Sequence, residues 1–256
     1  MRQDKKTGII WVVGIGPGSR SMMTQEAISA ILAADVVVGY TTYINIVKKE
    51  LFNSADLEEN RQKTFLATSM RQEEERCRLC FEEAEKGKKV ALVCSGDAGV
   101  YGMASWIFEL SEEYAPCEIS VISGVTAATA GAAMLGAPLG HDFCVISLSD
   151  LLTPWELIEK RLVAACEADF AIAIYNPSSK GRADTLKRAC RILLPYMGEN
   201  RPCGLVKNIG RDNTFSKVCT LKELMDEPTD MTTTVIFGNS MTQIIQGKLV
   251  TPRKWG

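Results

Sequence analysis

Short runs of apolar residues, lacking the polar alternation of a half-exposed strand, recur along the chain and are separated by segments with helical periodicity. Ile9 to Val13, Val36 to Val38 and Val90 to Cys94 are of strand length. A strand that is apolar on both faces needs cover on both, which a parallel sheet between two layers of helices supplies. The intervening segments provide those helices. Thr24 as N-cap, with Glu26 in the first turn, predicts a helix to about Ala34. Further helices are expected near Tyr43 to Leu51, over Met70 to Lys86 with Gly87 closing it, and from about Val100 to Tyr114. Short strands at Thr64 to Ala67 and Ile119 to Ile122 complete an α/β first half with a mainly parallel sheet.

Beyond Gly136-Ala137-Pro138-Leu139-Gly140, the expected linker, the pattern restarts. Strands are expected at Phe143 to Leu148, Phe170 to Tyr175, Gly204 to Lys207, Ser216 to Thr220 and Thr232 to Phe237, and helices at Thr153 to Cys166 and Ala183 to Tyr196. Only a short helix, Leu221 to Asp226, separates the last two strands, so the second half is expected to be α/β with a mixed sheet. At about 150 residues per domain, 256 residues allow two modest domains, placed at 1–138 and 139–256.

Several function classes are disfavoured. A formal charge of −2 lacks the basic excess of a nucleic-acid-binding domain. The uncharged stretch Ile119 to Gly140 has the length of a membrane span, but Gly124, Gly131, Gly136, Pro138 and Gly140 interrupt it, so no membrane partner is expected. The first residues show no secretory signal, and nine cysteines without a small-scaffold spacing read as reduced thiols, so a cytoplasmic location is expected. Cys77-x-x-Cys80 has no second pair to complete a metal site, and His141 is the single histidine. No metal is expected.

Three glycine loops follow strands. Gly14-Ile15-Gly16-Pro17-Gly18 is not a dinucleotide fingerprint, because Ser19 occupies the place of the third glycine and Asp35 precedes the second strand instead of following it. No Lys-Ser/Thr pair follows at phosphate-loop spacing. Ser95-Gly96-Asp97-Ala98-Gly99-Val100-Tyr101-Gly102 and Ser123-Gly124-Val125-Thr126-Ala127 are the second and third. Ligands bind at the carboxyl edge of open α/β sheets, so three such loops at one edge point to a ligand site. Asp97 fits either an acceptor for a ribose or amino group, or a helix cap.

These loops, with Thr24, Tyr175-Asn176-Pro177 and Thr234-Val235-Ile236-Phe237-Gly238-Asn239, resemble the tetrapyrrole (corrin/porphyrin) methyltransferases over nearly the whole chain. His141-Asp142-Phe143 and Ile146-Ser147-Leu148-Ser149-Asp150-Leu151-Leu152-Thr153-Pro154-Trp155 resemble the precorrin-3B / cobalt-precorrin-3 C17-methyltransferase subgroup. Ala98 matches that subgroup, where the wider family often has proline. The resemblance implies a class III methyltransferase fold, two α/β domains with the active-site cleft between them, and commonly a homodimer. It implies S-adenosyl-L-methionine as methyl donor and a tetrapyrrole as substrate. The donor residues it implies are Pro17, Ser95, Gly96, Asp97, Val100, Tyr101, Thr126, Ala127, Tyr175 and Asn176, with Asn208, Thr233 and Thr234 as weaker candidates.

The implied reaction is methyl transfer to C17 of precorrin-3B or cobalt-precorrin-3, with ring contraction, in cobalamin (corrin) synthesis. Methylation at another ring position, C11 or C20, and a non-catalytic tetrapyrrole carrier are the alternatives. Ring contraction moves protons, and His141 has the side chain suited to that near neutral pH. Ser147, Ser149 and Asp150 form a polar patch that either meets the macrocycle or caps the next helix. Lys180, Arg182, Lys207 and Arg211 are candidates for the substrate carboxylates.

Overall fold

The computed structural model describes residues 7–52, 63–179 and 181–253. The chain divides into two compact units, Met1–Thr126 and Ala127–Gly256. In the first unit the order is β1 (Ile9–Gly14), α1 (Gln25–Ala33), β2 (Val36–Tyr40), α2 (Thr41–Leu51), β3 (Thr64–Thr68), α3 (Glu73–Ala84), β4 (Lys89–Cys94), α4 (Ala104–Leu110) and β5 (Glu118–Ile122). The strands form one sheet in the order β3-β2-β4-β1-β5, and every pairing is parallel.

The apolar runs explain the layering. Side chains alternate across a strand, and both sets here are buried. Ile10, Val12, Val36, Val38, Val90 and Leu92 share one core with α3 and α4. Val13, Val37, Ala91 and Val93 face a second core with α1 and α2. Cys77 and Cys80 lie fully buried on α3. Lys63 ties β3 to α1 by donating from Nζ to the carbonyls of Ile31 (2.9 Å), Leu32 (3.0 Å) and Ala34, where the helix leaves carbonyls unpaired.

The second unit runs α5 (Ala127–Leu135), β6 (Gly136–Ala137), β7 (Phe143–Ser147), α6 (Trp155–Glu167), β8 (Ala171–Tyr175), α7 (Thr185–Met197), β9 (Pro202–Lys207), β10 (Phe215–Thr220), α8 (Leu221–Leu224), β11 (Thr233–Phe237), β12 (Gln243–Ile245) and β13 (Lys248–Val250). Its main sheet, in the order β10-β9-β11-β8-β7, is mixed. β7 and β8 are parallel, and the remaining neighbours are antiparallel. One core fills the space between this sheet, α6 and α7.

Three elements differ from expectation. The segment read as a linker begins as β6, which pairs parallel with β13 in a small sheet completed by β12. The helix expected from Met70 starts at Glu73, because Arg71 is left-handed (φ 66°). The helix expected from Val100 starts at Ala104, because the preceding loop folds back on itself, with Ala104 N–H donating to Ala98 O at 3.1 Å. Among the described residues, no helix is long and apolar enough to cross a membrane.

The centre of the first sheet closes at glycine–glycine contacts. A Cβ on Gly124 would lie 2.2 Å from Gly96 O and 2.6 Å from Gly14 O, both of them backbone. Gly124→Ala should therefore cost about 1–3 kcal/mol, lowering Tm by roughly 2–4 °C for each kcal/mol. A thermal melt matching wild type would show that the three loops are not locked together.

Candidate active site

In the first unit, the loops after β1, β4 and β5 form a single hydrogen-bonded body at the carboxyl edge of the sheet. Gly16 and Gly96 exchange backbone hydrogen bonds of 3.0 and 2.8 Å, joining the first loop to the second. Asp97 does the rest. Its Oδ1 accepts from Gly99 N–H (2.8 Å) and Val100 N–H (3.1 Å), and its Oδ2 accepts from Gly124 N–H (2.9 Å) in the third loop. Thr24 Oγ1 caps α1 by accepting from Ala27 N–H (3.1 Å) and donates to Ser123 O (3.3 Å). Hydrogen bonds to an ionised acceptor contribute about 1.5–3 kcal/mol each, so Asp97 outweighs any neutral contact in these loops. Both of its oxygens are engaged by backbone, which makes it the organiser of the edge.

Pro17, Ser95, Gly96, Asp97, Val100, Tyr101 and Thr126 all belong to these three loops. Tyr101 stands out. It is left-handed (φ 52°) and 56% exposed. Asparagine tolerates that backbone region, but for tyrosine it is strained by about 1–3 kcal/mol. The bonds from Asp97 to the residues just before it hold the strain in place.

A second charge supports the same loop from below. Arg76 on α3 is 4% exposed. Its guanidinium donates to Thr68 Oγ1 (2.7 Å), Ser69 O (2.9 Å) and Met103 Sδ (3.7 Å), none of them an anion. Thr68 O in turn accepts from Thr41 Oγ1 at 3.0 Å. The carboxyl ends of β3, β2 and β4 are thereby joined through one buried cation. Sequence pattern alone could not mark Arg76, because it lies in a helix dense with surface charge.

In the second unit, the carboxyl ends of β7, β8 and β9 and the start of the antiparallel β11 fall along one edge. That edge brings together Ser147, Tyr175, Asn176, Asn208, Thr233 and Thr234. Asn176 Nδ2 donates to Ser147 Oγ (2.9 Å), which also accepts from Ser149 N–H (3.2 Å). Arg182 Nη1 then bonds Asp150 Oδ1 (2.6 Å) and Ser149 Oγ (3.3 Å). The loops after β7 and β8 are thus stapled at two points. The Arg182 hydrogen bond holds the Asp150 carboxyl below its ordinary range, so Asp150 is a carboxylate at neutral pH. The pairing is lost only as pH falls through that lowered value.

Tyr175 Oη accepts from Ala128 N–H (2.9 Å) in the first turn of α5, beside Ala127. Asn176 and Asn208 are both left-handed (φ 52°). Asn208 closes the turn after β9, with its carbonyl accepting from Arg211 N–H (2.9 Å) and Thr214 Oγ1 (2.8 Å). Thr233 and Thr234 are consecutive on β11 and face opposite sides of the sheet. Thr233 Oγ1 bonds Asp230 Oδ1 at 3.1 Å, while the Thr234 methyl lies toward Gly131 of α5. They therefore do not face one ligand together. Lys207 Nζ lies 3.6 Å from Asp230. Lys180 lies outside the described residues.

His141 falls elsewhere. It precedes β7, with Nδ1 3.5 Å from Asp142 Oδ2, whereas Ser147, Ser149 and Asp150 follow the strand. Strand β7, Phe143–Ser147, lies between them, and its four rises of about 3.3 Å put roughly 13 Å of strand between its two ends. The fold thus puts His141 before β7 and the patch of Ser147, Ser149 and Asp150 after it. No group of three or more His, Cys, Asp or Glu able to hold a metal occurs among the described residues. Burial pushes all nine thiols upward, Cys94 to about 11 and Cys77 to about 12, leaving none activated as a nucleophile.

A parallel unit with its strand-end loops knitted together is followed by a mixed-sheet unit with its own stapled edge. The family model for Tetrapyrrole (Corrin/Porphyrin) Methylases matches residues 10–225, and the chain belongs to that family. It is 49% identical to a probable cobalt-factor III C(17)-methyltransferase of Salmonella typhimurium, over 94% of this chain and 97% of that protein. It is 38% identical to the precorrin-3B C(17)-methyltransferase of a Sinorhizobium species, over 94% and 92%. The crystal structure of the methyltransferase CobJ superposes with a TM-score of 0.86 at 36% identity, covering 96% of this chain and all of that one.

Tyr101→Gly separates the strain at this edge from its use. Removing the left-handed penalty should raise Tm, while affinity for S-adenosylhomocysteine, measured by calorimetry, should fall. A variant that gains stability and binds as tightly as wild type would remove Tyr101 from the donor residues that the sequence resemblance implies.

Proposed function

We propose that the chain is an S-adenosylmethionine-dependent methyltransferase acting on C17 of precorrin-3B or cobalt-precorrin-3, with ring contraction, in cobalamin synthesis. The observation that carries this reading is similarity across nearly the full length of relatives named as C(17)-methyltransferases of cobalt-factor III and of precorrin-3B. A location in the cytoplasm and a homodimeric state form part of the same reading.

The donor is assigned to the glycine loops of the first unit. Their backbones are locked against one another where no Cβ fits, at the carboxyl edge of an open parallel sheet, which is where such sheets bind ligands. Pro17, Ser95, Gly96, Asp97, Val100, Tyr101 and Thr126 make up this set, with Asp97 acting by holding the loop. Ala127, Tyr175, Asn176 and Asn208 are the donor candidates of the second unit, and its Thr233 and Thr234 point to different faces. When bound, S-adenosylmethionine supplies an electrophilic methyl group with its own leaving group.

Such a transfer asks little of side chains beyond alignment, which can contribute about 7–11 kcal/mol as effective molarity. A carboxylate near the sulfonium would lose attraction as the positive charge leaves, so it would serve binding more than rate. The macrocycle is assigned to Ser147, Ser149 and Asp150. Asp150 acts there as a fixed negative charge that orients Arg182, and it donates no proton at neutral pH. His141, at the other end of β7, is placed outside this group.

Two measurements test these assignments. Calorimetry should show the chain binding S-adenosylhomocysteine and not NADH; no binding of the former overturns the donor assignment. His141→Ala should bind S-adenosylhomocysteine normally and contract the ring at the wild-type rate. Slowed contraction with intact donor binding would return His141 to the proton-transfer role that its chemistry suggests.

A further inference from the structure

Leu151 and Leu152 are 62% and 85% exposed, three and four residues on from fully buried Leu148. They do not lie on a loose loop. Asp150 is tied to Arg182 on one side, and on the other Trp155 is buried as α6 begins. Apolar side chains held outward by a fixed base are an unsatisfied surface.

Beside them lies an open groove of about 580 Å³, lined by Trp155, by the acids Asp150 and Asp184, and by the more numerous cations Arg182, Lys187, Arg188 and Arg191. Its cations differ in availability. Lys187 is paired with Asp226 at 2.8 Å and Arg182 with Asp150. The Arg188 guanidinium lies over the Trp155 ring, 4.1 Å from the centroid, which fixes its plane without neutralising it. Neither Arg188 nor Arg191 is in an ion pair among the described residues. Arg182 uses Nε and Nη1 on Ser179, Ser149 and Asp150, which leaves Nη2 with no hydrogen bond among the described residues.

We propose that this loop and groove form a subsite for the macrocycle. Leu151 and Leu152 meet the apolar face of the ring, and Arg188, Arg191 and the free Nη2 of Arg182 take its peripheral carboxylates. The assignment rests on the reading that the substrate is a polycarboxylate tetrapyrrole. It follows from charge and shape together: a flat apolar ring edged with carboxylates needs an apolar contact beside planar cations, and guanidinium groups match carboxylates bidentately. The groove also continues directly from Ser149 and Asp150 at the carboxyl edge of β7 and β8. A second copy of the chain is the other apolar occupant, but two leucines are a small part of the roughly 1,200–2,000 Å² that a stable interface buries.

The test uses the full chain with uroporphyrin as a non-reacting polycarboxylate probe, titrated by fluorescence at low and high salt. Arg188→Gln/Arg191→Gln should weaken uroporphyrin binding by about tenfold or more and flatten its salt dependence. Leu151→Ser/Leu152→Ser should weaken binding while the salt dependence persists. All four positions are exposed or groove-lining, and S-adenosylhomocysteine affinity, measured in parallel, should stay at the wild-type value in both variants. Wild-type uroporphyrin affinity in both pairs overturns the subsite and leaves the methyltransferase reading standing. A leucine variant that loses self-association in light scattering, with porphyrin affinity intact, assigns the leucines to a second copy and overturns it too. Wild-type chain that binds neither uroporphyrin nor S-adenosylhomocysteine removes the underlying reading, and the subsite falls with it.

Discussion

One carboxylate determines whether the first unit has a usable edge. Asp97 accepts three backbone N–H groups from two different loops, and those loops follow adjacent or near-adjacent strands of a parallel sheet. Parallel strands leave their carboxyl ends as separate excursions, each of which would otherwise be free to move. Asp97 and the Gly16–Gly96 exchange convert three excursions into one surface. The glycines are needed because the backbones meet where no Cβ fits. The Tyr101 strain persists because the same carboxylate fixes the residues leading into it. Arg76 performs the complementary task beneath the loop, holding Met103 where the loop ends and Thr68 where β3 ends.

The second unit arrives at a related solution with different chemistry. Its edge is stapled by Asn176 to Ser147 and by Arg182 to Asp150. The ion pair is half-exposed, so its contribution to stability is about 0–1 kcal/mol. Its consequence is geometric: it aims a guanidinium and fixes the base of a loop that carries two exposed leucines. In both units, then, a carboxylate acts on the position of its neighbours more than on any proton.

Much of this was legible in the amino-acid order, for identifiable reasons. Val36 to Val38 and Val90 to Cys94 lack polar alternation because both their faces are covered, so strand type and parallel pairing followed together. The glycine loops could be placed at one edge because each follows such a strand. Other features were not legible. β6 has two residues and β12 and β13 three each, too short for any period to register. Arg71 and Tyr101 shorten two helices at their starts through left-handed backbone that no residue type there announces. Thr233 and Thr234 looked like a pair in sequence and are opposed by the pleat. Arg188 and Arg191 were hidden in the amphipathic pattern of α7, where a cation ordinarily reads as solvated surface. His141 was singled out for its titration chemistry, which says nothing about its place before β7.

Methyl transfer to one carbon of one ring system can be observed at that carbon. The chain should be incubated with precorrin-3B and, separately, with the cobalt-containing substrate, using S-adenosylmethionine labelled with carbon-13 in the methyl group, and the product read by NMR. A single labelled methyl on C17 of a contracted ring is the expected result. Label on C11 or C20, or no transfer from a donor that demonstrably binds, would contradict it.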